Sequence, residues 1–365
     1  MATFWQQRAW KTPNDDTGYR FTNCIRCAER PRQFRIGKFM RRAFLSNFQR
    51  LIPWIVAILI FSPATAADYK VSPVVLDDEN PDRHSVGSLL WRGGVVISSD
   101  DPRFGGLSAL DVARDGTRLV ALSDRGIWLT ASLEYRGGDL ANVKGFKISR
   151  LLNTDGVPLK GRRADAESLA VDDGAFIVSF ERQHRLWRYG GHPDGSLSRP
   201  IAVKPPPGFQ DLSDNGGIEA MTRLCDGRLV VVAEKSKGRG NFVTGWLQSG
   251  TNWQPFRYRT KGSLLPTGAT TLPNCDLVFV ERSFSIVAGL DIRLSRIRVN
   301  ALQENAIVEP EELAHLTGSL TMDNFEGISA RRGKNGETLF YLVADDNFSS
   351  IQRTLLFMFE LGESP

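Results

Sequence analysis

At 365 residues, 41% hydrophobic and 24% charged, the chain has the composition of a folded protein and room for one large domain or two ordinary ones. Its pI of about 9.1 points to an anionic partner only until the charge is located. Residues 1–66 hold 11 of the 46 basic and 3 of the 41 acidic side chains, so the remainder is slightly acidic. Net charge therefore gives no ground for nucleic-acid binding.

The N-terminal segment reads as an export signal. Met40-Arg41-Arg42 opens it, Leu51–Phe61 is an apolar run, and Ala64-Thr65-Ala66 offers small residues for cleavage before Ala67. The run is too short for the ~20 residues that a helix needs to span a bilayer; an uncleaved anchor is the alternative. Arg41-Arg42-Ala43-Phe44-Leu45 also resembles the twin-arginine export motif, so both export routes stay open. The expected organisation is an extension and signal over 1–66, with the signal proper at about 40–66. A lead-in over 67–87 and one domain over 88–365 follow. The expected location is periplasmic or secreted, without stable membrane insertion after cleavage. Cys24 and Cys27 form a C-x-x-C upstream of the cleavage point and are expected to play no part in the mature protein. Cys225 and Cys275 then remain, in the same turn of two successive repeats. In an oxidising compartment they are disulfide candidates.

Asp68–Arg83 reads as extended and polar, and Ser88–Ser99 as a strand with a Gly-Gly break. Beyond it, short apolar runs are separated by Asp115-Gly116, Asp173-Gly174, Asp194-Gly195, Asp226-Gly227 and Asn335-Gly336, which are hairpin signals. Glu309–Leu316 is the one candidate for a turn or two of helix. The fold class is all-β.

One pattern recurs five times: Gly105–Arg125, Ala166–Arg182, Gly217–Lys235, Thr267–Arg282 and Phe325–Asn347. Four-stranded units of about 50 residues fit β-propeller blades better than solenoid turns. Five blades are expected, with six as the alternative. Ser88–Ser99 would supply the missing outer strand of the last blade and close the ring.

In such a ring the start of each blade's first strand lies beside the end of its second. Glu167 with Glu181, Glu219 with Glu234, and Glu326 with Asp345 should meet there, with Asp124 and Glu281 at the matching points of their blades. All would converge on one channel mouth. Gly106 and Gly268 stand where the other repeats have Glu, so the acidic ring is incomplete. Arg125, Arg182, Lys235 and Arg282 follow the second-strand acids and supply counter-charge. One reading is a salt-bridge ring that fixes blade register. The other is a hard-cation site, with Asp323, Asp345 and Asp346 adding oxygen ligands. No histidine shows ligand spacing, and His184, the only one near the mouth, reads as a surface residue.

The set Gly217-Ile218-Glu219-Ala220, Glu281-Arg282-Ser283-Phe284, Asp323-Asn324-Phe325-Glu326-Gly327, Asp345-Asp346-Asn347-Phe348 and Gln352-Arg353-Thr354-Leu355-Leu356 resembles the family described as having the esterase-like activity of phytase. The resemblance runs from about Gly105 to Leu361. It implies an exported β-propeller with functional acids and phosphoester hydrolysis, calcium assisting as in the propeller phytases. The expectation is thus a phytase-like hydrolase acting on a small phosphorylated substrate, as a monomer with Ca²⁺ at the mouth. Glu167, Glu219 and Glu326 are the catalytic candidates, and Arg125, Arg182, Lys235 and Arg282 the substrate-binding ones. Asp124, Glu181, Glu234, Glu281, Asp323, Asp345 and Asp346 are the metal-ligand candidates. A non-catalytic envelope propeller that binds a ligand or partner, and a metal-dependent lactonase or esterase, are the rival readings.

Overall fold

A computed structural model describes residues 67–235, 240–287 and 289–362; the export stretch, Arg41-Arg42, Cys24 and Cys27 lie outside them. Strand follows strand, and the helical content among the described residues is three 3-10 turns. Five sheets form a ring, a five-bladed propeller. Their inner strands are Leu107–Val112, Ala166–Asp172, Ile218–Arg223, Leu265–Thr271 and Asn324–Arg332, for blades 1 to 5 in turn. The second strands are Arg118–Ser123, Ala175–Phe180, Leu229–Ala233, Leu277–Ser285 and Thr338–Asp345.

Strand alternation explains why these sheets stack radially. Leu122 and Trp128 of blade 1 join Phe180 and Tyr189 of blade 2 in one buried cluster. Leu119 and Leu129 of blade 1, on the opposite face, join Tyr341 and Met358 of blade 5 in another. Five clusters of this kind fill the five seams between successive blades. A second strand is thus apolar on both faces, as in the fully buried Leu229–Ala233, because each face meets a neighbouring blade. The wide intervals between the first and last pairs of repeats hide no sixth blade. The first is filled by the long hairpin of Ile127–Arg136 and Asp139–Arg150. The last carries the third and outer strands of blade 4 and a short parallel pairing of Ile307–Val308 with Arg257 and Tyr258.

The ring closes through its two ends. Leu89–Ser99 pairs antiparallel with Thr354–Leu361 and becomes the fourth strand of blade 5. Gly93, at φ 96°, packs against the Leu140 carbonyl of blade 1, where a side chain would clash. Two expectations need correction. Tyr69–Val74, within the expected lead-in, is a strand that pairs outside Leu89–Ser99. The helix expected at Glu309–Leu316 is the outer strand Glu311–Leu316 of blade 4, because Leu313, Ala314 and Leu316 are drawn into the seam with blade 5. Among the described residues no helix is long and apolar enough to cross a membrane.

Blades 3 and 4 are also joined covalently. Cys225 and Cys275 are bonded across their inner turns, 50 residues apart in sequence. The double variant Cys225→Ala/Cys275→Ala should lose about 2–4 kcal/mol. Reductant should lower the melting temperature of the wild type and leave that of the variant unchanged. At the seam between blades 3 and 4, fully buried Glu281 pairs through both carboxylate oxygens with Arg293 of its own blade and accepts a 2.9 Å hydrogen bond from Tyr258 of blade 3. Arg293→Met should cost about 3–5 kcal/mol in urea unfolding, with most of it regained in Glu281→Leu/Arg293→Met. Equal losses in the single and double variants would contradict this.

Candidate active site at the channel mouth

Every inner strand carries a β-bulge at the same point. The extra residues are Ser108, Glu167, Glu219, Thr267 and Glu326. A bulge leaves one residue out of the ladder and re-aims its side chain, here beside the end of the second strand. The residue that follows the partner of the residue just before the bulge is Asp124, Glu181, Glu234 and Asp345 in blades 1, 2, 3 and 5. The mouth is thus built from two five-membered sets: Ser, Glu, Glu, Thr, Glu at the bulges, and Asp, Glu, Glu, Arg, Asp beside them. Gly106 and Gly268 are not members, which corrects the repeat alignment. Gly106 lies two residues before the bulge and Gly268 one after it.

The Arg in the second set is Arg282. In blade 4 the second strand is displaced by one residue, so that Pro266 pairs with Glu281 where the other blades pair with Ser123, Phe180, Ala233 or Ala344. Glu281 therefore turns to Arg293 and, across the seam, to Tyr258 of blade 3, and is no part of the mouth. Arg282 takes the mouth position, with Nη2 3.5 Å from Glu326 Oε1. Blade 4 contributes a threonine and an arginine where blades 2, 3 and 5 each contribute two acids.

Blade 2 is the acidic extreme. One carboxylate oxygen each from Asp165, Glu167 and Glu181 lies within 4.8 Å of the other two. Ca²⁺–oxygen bonds of about 2.3–2.6 Å keep any two ligands of one ion within about 5 Å, so these three groups fit a hard cation. Asp165 was not singled out in the sequence. The signal was there: Asp165 stands two residues before a bulge glutamate, as Asn324 does in blade 5. Glu181 accepts a 3.0 Å hydrogen bond from Gly217 N, and Asp165 pairs with Arg182.

Burial pushes the Glu167 and Glu219 carboxyls well above the usual range, and the charges of neighbouring acids push the same way. Glu326 is raised to about 8 by burial and the charge of Asp345, against the pull of Arg282. Asp345 is raised to about 7, again chiefly by burial. Burial raises Asp124, Asp165 and Glu181 as well. Each acid feels others across the channel: Glu219 feels Glu234, Glu326 and Glu181, and Glu326 feels Asp345 and Asp124. The mouth disfavours its own full ionisation in the absence of a bound cation.

Other predicted ligands serve the loops. Asp346 accepts hydrogen bonds from Gly106 N, Phe348 N and Thr354 Oγ1, tying blade 5 to blade 1. Asp323 accepts from Asn324 N and Arg353 N. Asp345 receives Asn347 N at 2.6 Å. Among the predicted cations, Arg125 lies over the Phe348 ring, 3.1 Å from its centroid, and Lys235 pairs with Glu234. His184 is buried, not on the surface; its Nε2 sits 3.1 Å from the Ser213 carbonyl and its ring lies against Phe209.

Solved structures match most of the chain at low similarity. An aldose sugar dehydrogenase from Streptomyces coelicolor in its PQQ-bound form is 11% identical, covering 80% of this chain and 98% of its own, at TM-score 0.41. A luciferin-regenerating enzyme is 9% identical, covering 80% and 97%, at 0.39. A protein of unknown function from Dyadobacter fermentans is 12% identical, covering 81% and 91%, at 0.37. No curated protein matches the sequence. The model of the family described as "Esterase-like activity of phytase" matches residues 102–348, which include both sets of mouth residues, and the chain belongs to that phytase-like family.

Proposed function

We propose that the mouth hydrolyses a small phosphate ester with the help of a divalent cation, Ca²⁺ being the best fit. The observation that carries this reading is the division of labour between blades. Blade 2 gathers three carboxylates, blade 4 presents Arg282 in place of an acid, and Glu219 of blade 3 stands between them, sensing the charge of both Glu181 and Arg282. Asp165, Glu167 and Glu181 bind the cation, which when bound polarises a phosphoryl oxygen and lowers the pKa of water. Arg282 holds a non-bridging phosphate oxygen, a task suited to a planar guanidinium. Glu219 takes the proton of the attacking water as its oxygen bonds to phosphorus; the ester P–O bond breaks and the alcohol leaves, protonated by solvent. Burial raises the Glu219 pKa above the ordinary carboxylate range, which makes it a stronger base than an exposed glutamate. Export to an oxidising compartment accords with the Cys225–Cys275 bond.

The purified full chain should cleave phosphate mono- or diesters in Ca²⁺ and lose this activity in EDTA; inactivity across a broad ester panel would sink the proposal. Glu219→Gln should lower kcat by about 10²–10⁴ while Ca²⁺ affinity stays as in the wild type. Arg282→Gln should act chiefly on KM. A propeller whose acids only fix blade register, favoured by the Arg182–Asp165 and Lys235–Glu234 pairs, predicts instead that these variants shift melting temperature and nothing else.

The metal-free protein should also show a stability that falls with pH. Folding raises Glu326 from 4.5 to about 8 and Asp345 from 3.8 to about 7. Between those limits the folded chain holds more protons than the unfolded one. Their contribution is therefore intact below about pH 4 and lost as pH rises towards 8. Calorimetry in EDTA should show this decline, and Glu326→Gln should flatten it. Parallel profiles for wild type and variant would show that Glu326 is not its source.

A further inference from the structure

The bulge glutamates are not left to choose their own direction. In each of the three blades that carry one, the carbonyl just before it accepts a hydrogen bond from a hydroxyl of the preceding blade. Ser108 Oγ of blade 1 donates to Ala166 O at 2.6 Å, next to Glu167. Ser179 Oγ of blade 2 donates to Ile218 O at 2.7 Å, next to Glu219. Thr267 Oγ1 of blade 4 donates to Phe325 O at 3.2 Å, next to Glu326. Two of the three donors are themselves bulge residues, in the blades that lack a glutamate. A bulge residue is thus either an acid or the hydroxyl that secures the next blade's acid, and where blade 2 spends its bulge on Glu167, Ser179 of its second strand takes over the second task.

We infer that Ser108, Ser179 and Thr267 are positioning residues for Glu167, Glu219 and Glu326. At a bulge the side-chain direction follows the orientation of the peptide that leaves the ladder. That peptide is held here by a donor only 1%, 0% or 2% exposed, so water does not substitute when the hydroxyl is removed. Partners that orient a metal ligand from behind typically account for 10–100-fold in metal affinity. The inference rests on the cation reading above and adds an assignment to it: Ser108 acts on the cation through Glu167, whereas Ser179 acts on the general base.

Calcium titration calorimetry on the full chain separates the two. Ser108→Ala should weaken Ca²⁺ binding by about tenfold, Ser108→Cys should weaken it in the same direction, and Ser108→Thr should restore it. Ser179→Ala should leave Ca²⁺ affinity within about twofold of wild type and lower kcat instead. Thr222→Val removes a comparable inter-blade contact, the 3.0 Å one to the Thr271 hydroxyl towards the other end of the inner strands, and should change neither. Melting temperatures in EDTA, taken alongside, report the purely structural cost of each change. A lower metal-free melting temperature with unchanged Ca²⁺ affinity in both Ser108→Ala and Ser108→Cys would overturn the inference, as would equal losses of affinity in the Ser108 and Ser179 variants. A wild-type chain that takes up no Ca²⁺ would instead remove the cation reading itself.

Discussion

Closure of the ring is the constraint on which the rest depends. A single blade has apolar side chains on both faces and cannot bury them alone; each of the five seams needs a neighbour on either side. The last seam exists only because Leu89–Ser99 crosses from the start of the domain to pair with Thr354–Leu361 at its end. Closure also brings five inner strands to one axis, and with them five bulges to one height. The acidic mouth is a consequence of that geometry. Carboxylates that are 52 to 159 residues apart in sequence become electrostatic neighbours.

What the sequence made legible follows from period and alternation. A five-fold recurrence, turn dipeptides and short apolar runs were enough for the blades, their inner turns and the closing strand, because all are set by local patterns that repeat. The failures share a cause too. Glu281-Arg282 reads like the acid–base pairs Glu181-Arg182 and Glu234-Lys235, and only a one-residue displacement in strand pairing turns Glu281 inward and Arg282 outward. A shift of one residue exchanges the two faces of a strand. The partners that favour the shift, Arg293 and Tyr258, lie on other strands. Likewise Ser108 and Thr267 do not resemble glutamate, so an alignment by residue type settled on the nearby glycines.

Charge balance separates the structural acids from those free to do chemistry. Asp346 and Asp323 have their oxygens engaged by backbone amides of the loops they organise, and Glu281 is neutralised within its blade. Glu167, Glu219 and Glu326 stand at bulges, where no ladder partner constrains them and where burial makes ionisation costly. A fold that only needed register could satisfy these three positions with apolar residues at lower electrostatic cost. Keeping carboxylates there is destabilising for the empty mouth, and this is the condition under which a bound cation gains most: it relieves repulsion already present.

The displacement in blade 4 breaks the symmetry of charge around the mouth. A mouth with acids in all five blades would attract cations and repel a phosphate ester. With Thr267 and Arg282 in one sector, the field across the mouth becomes polar, acidic at blade 2 and basic at blade 4. Under the proposed function, an anion approaches from the blade 4 side while the carboxylates hold the cation. The buried Glu281–Arg293 pair costs desolvation and contributes little net stability by itself. It is formed in the same register that places Arg282 at the mouth, at the seam with Tyr258 of blade 3.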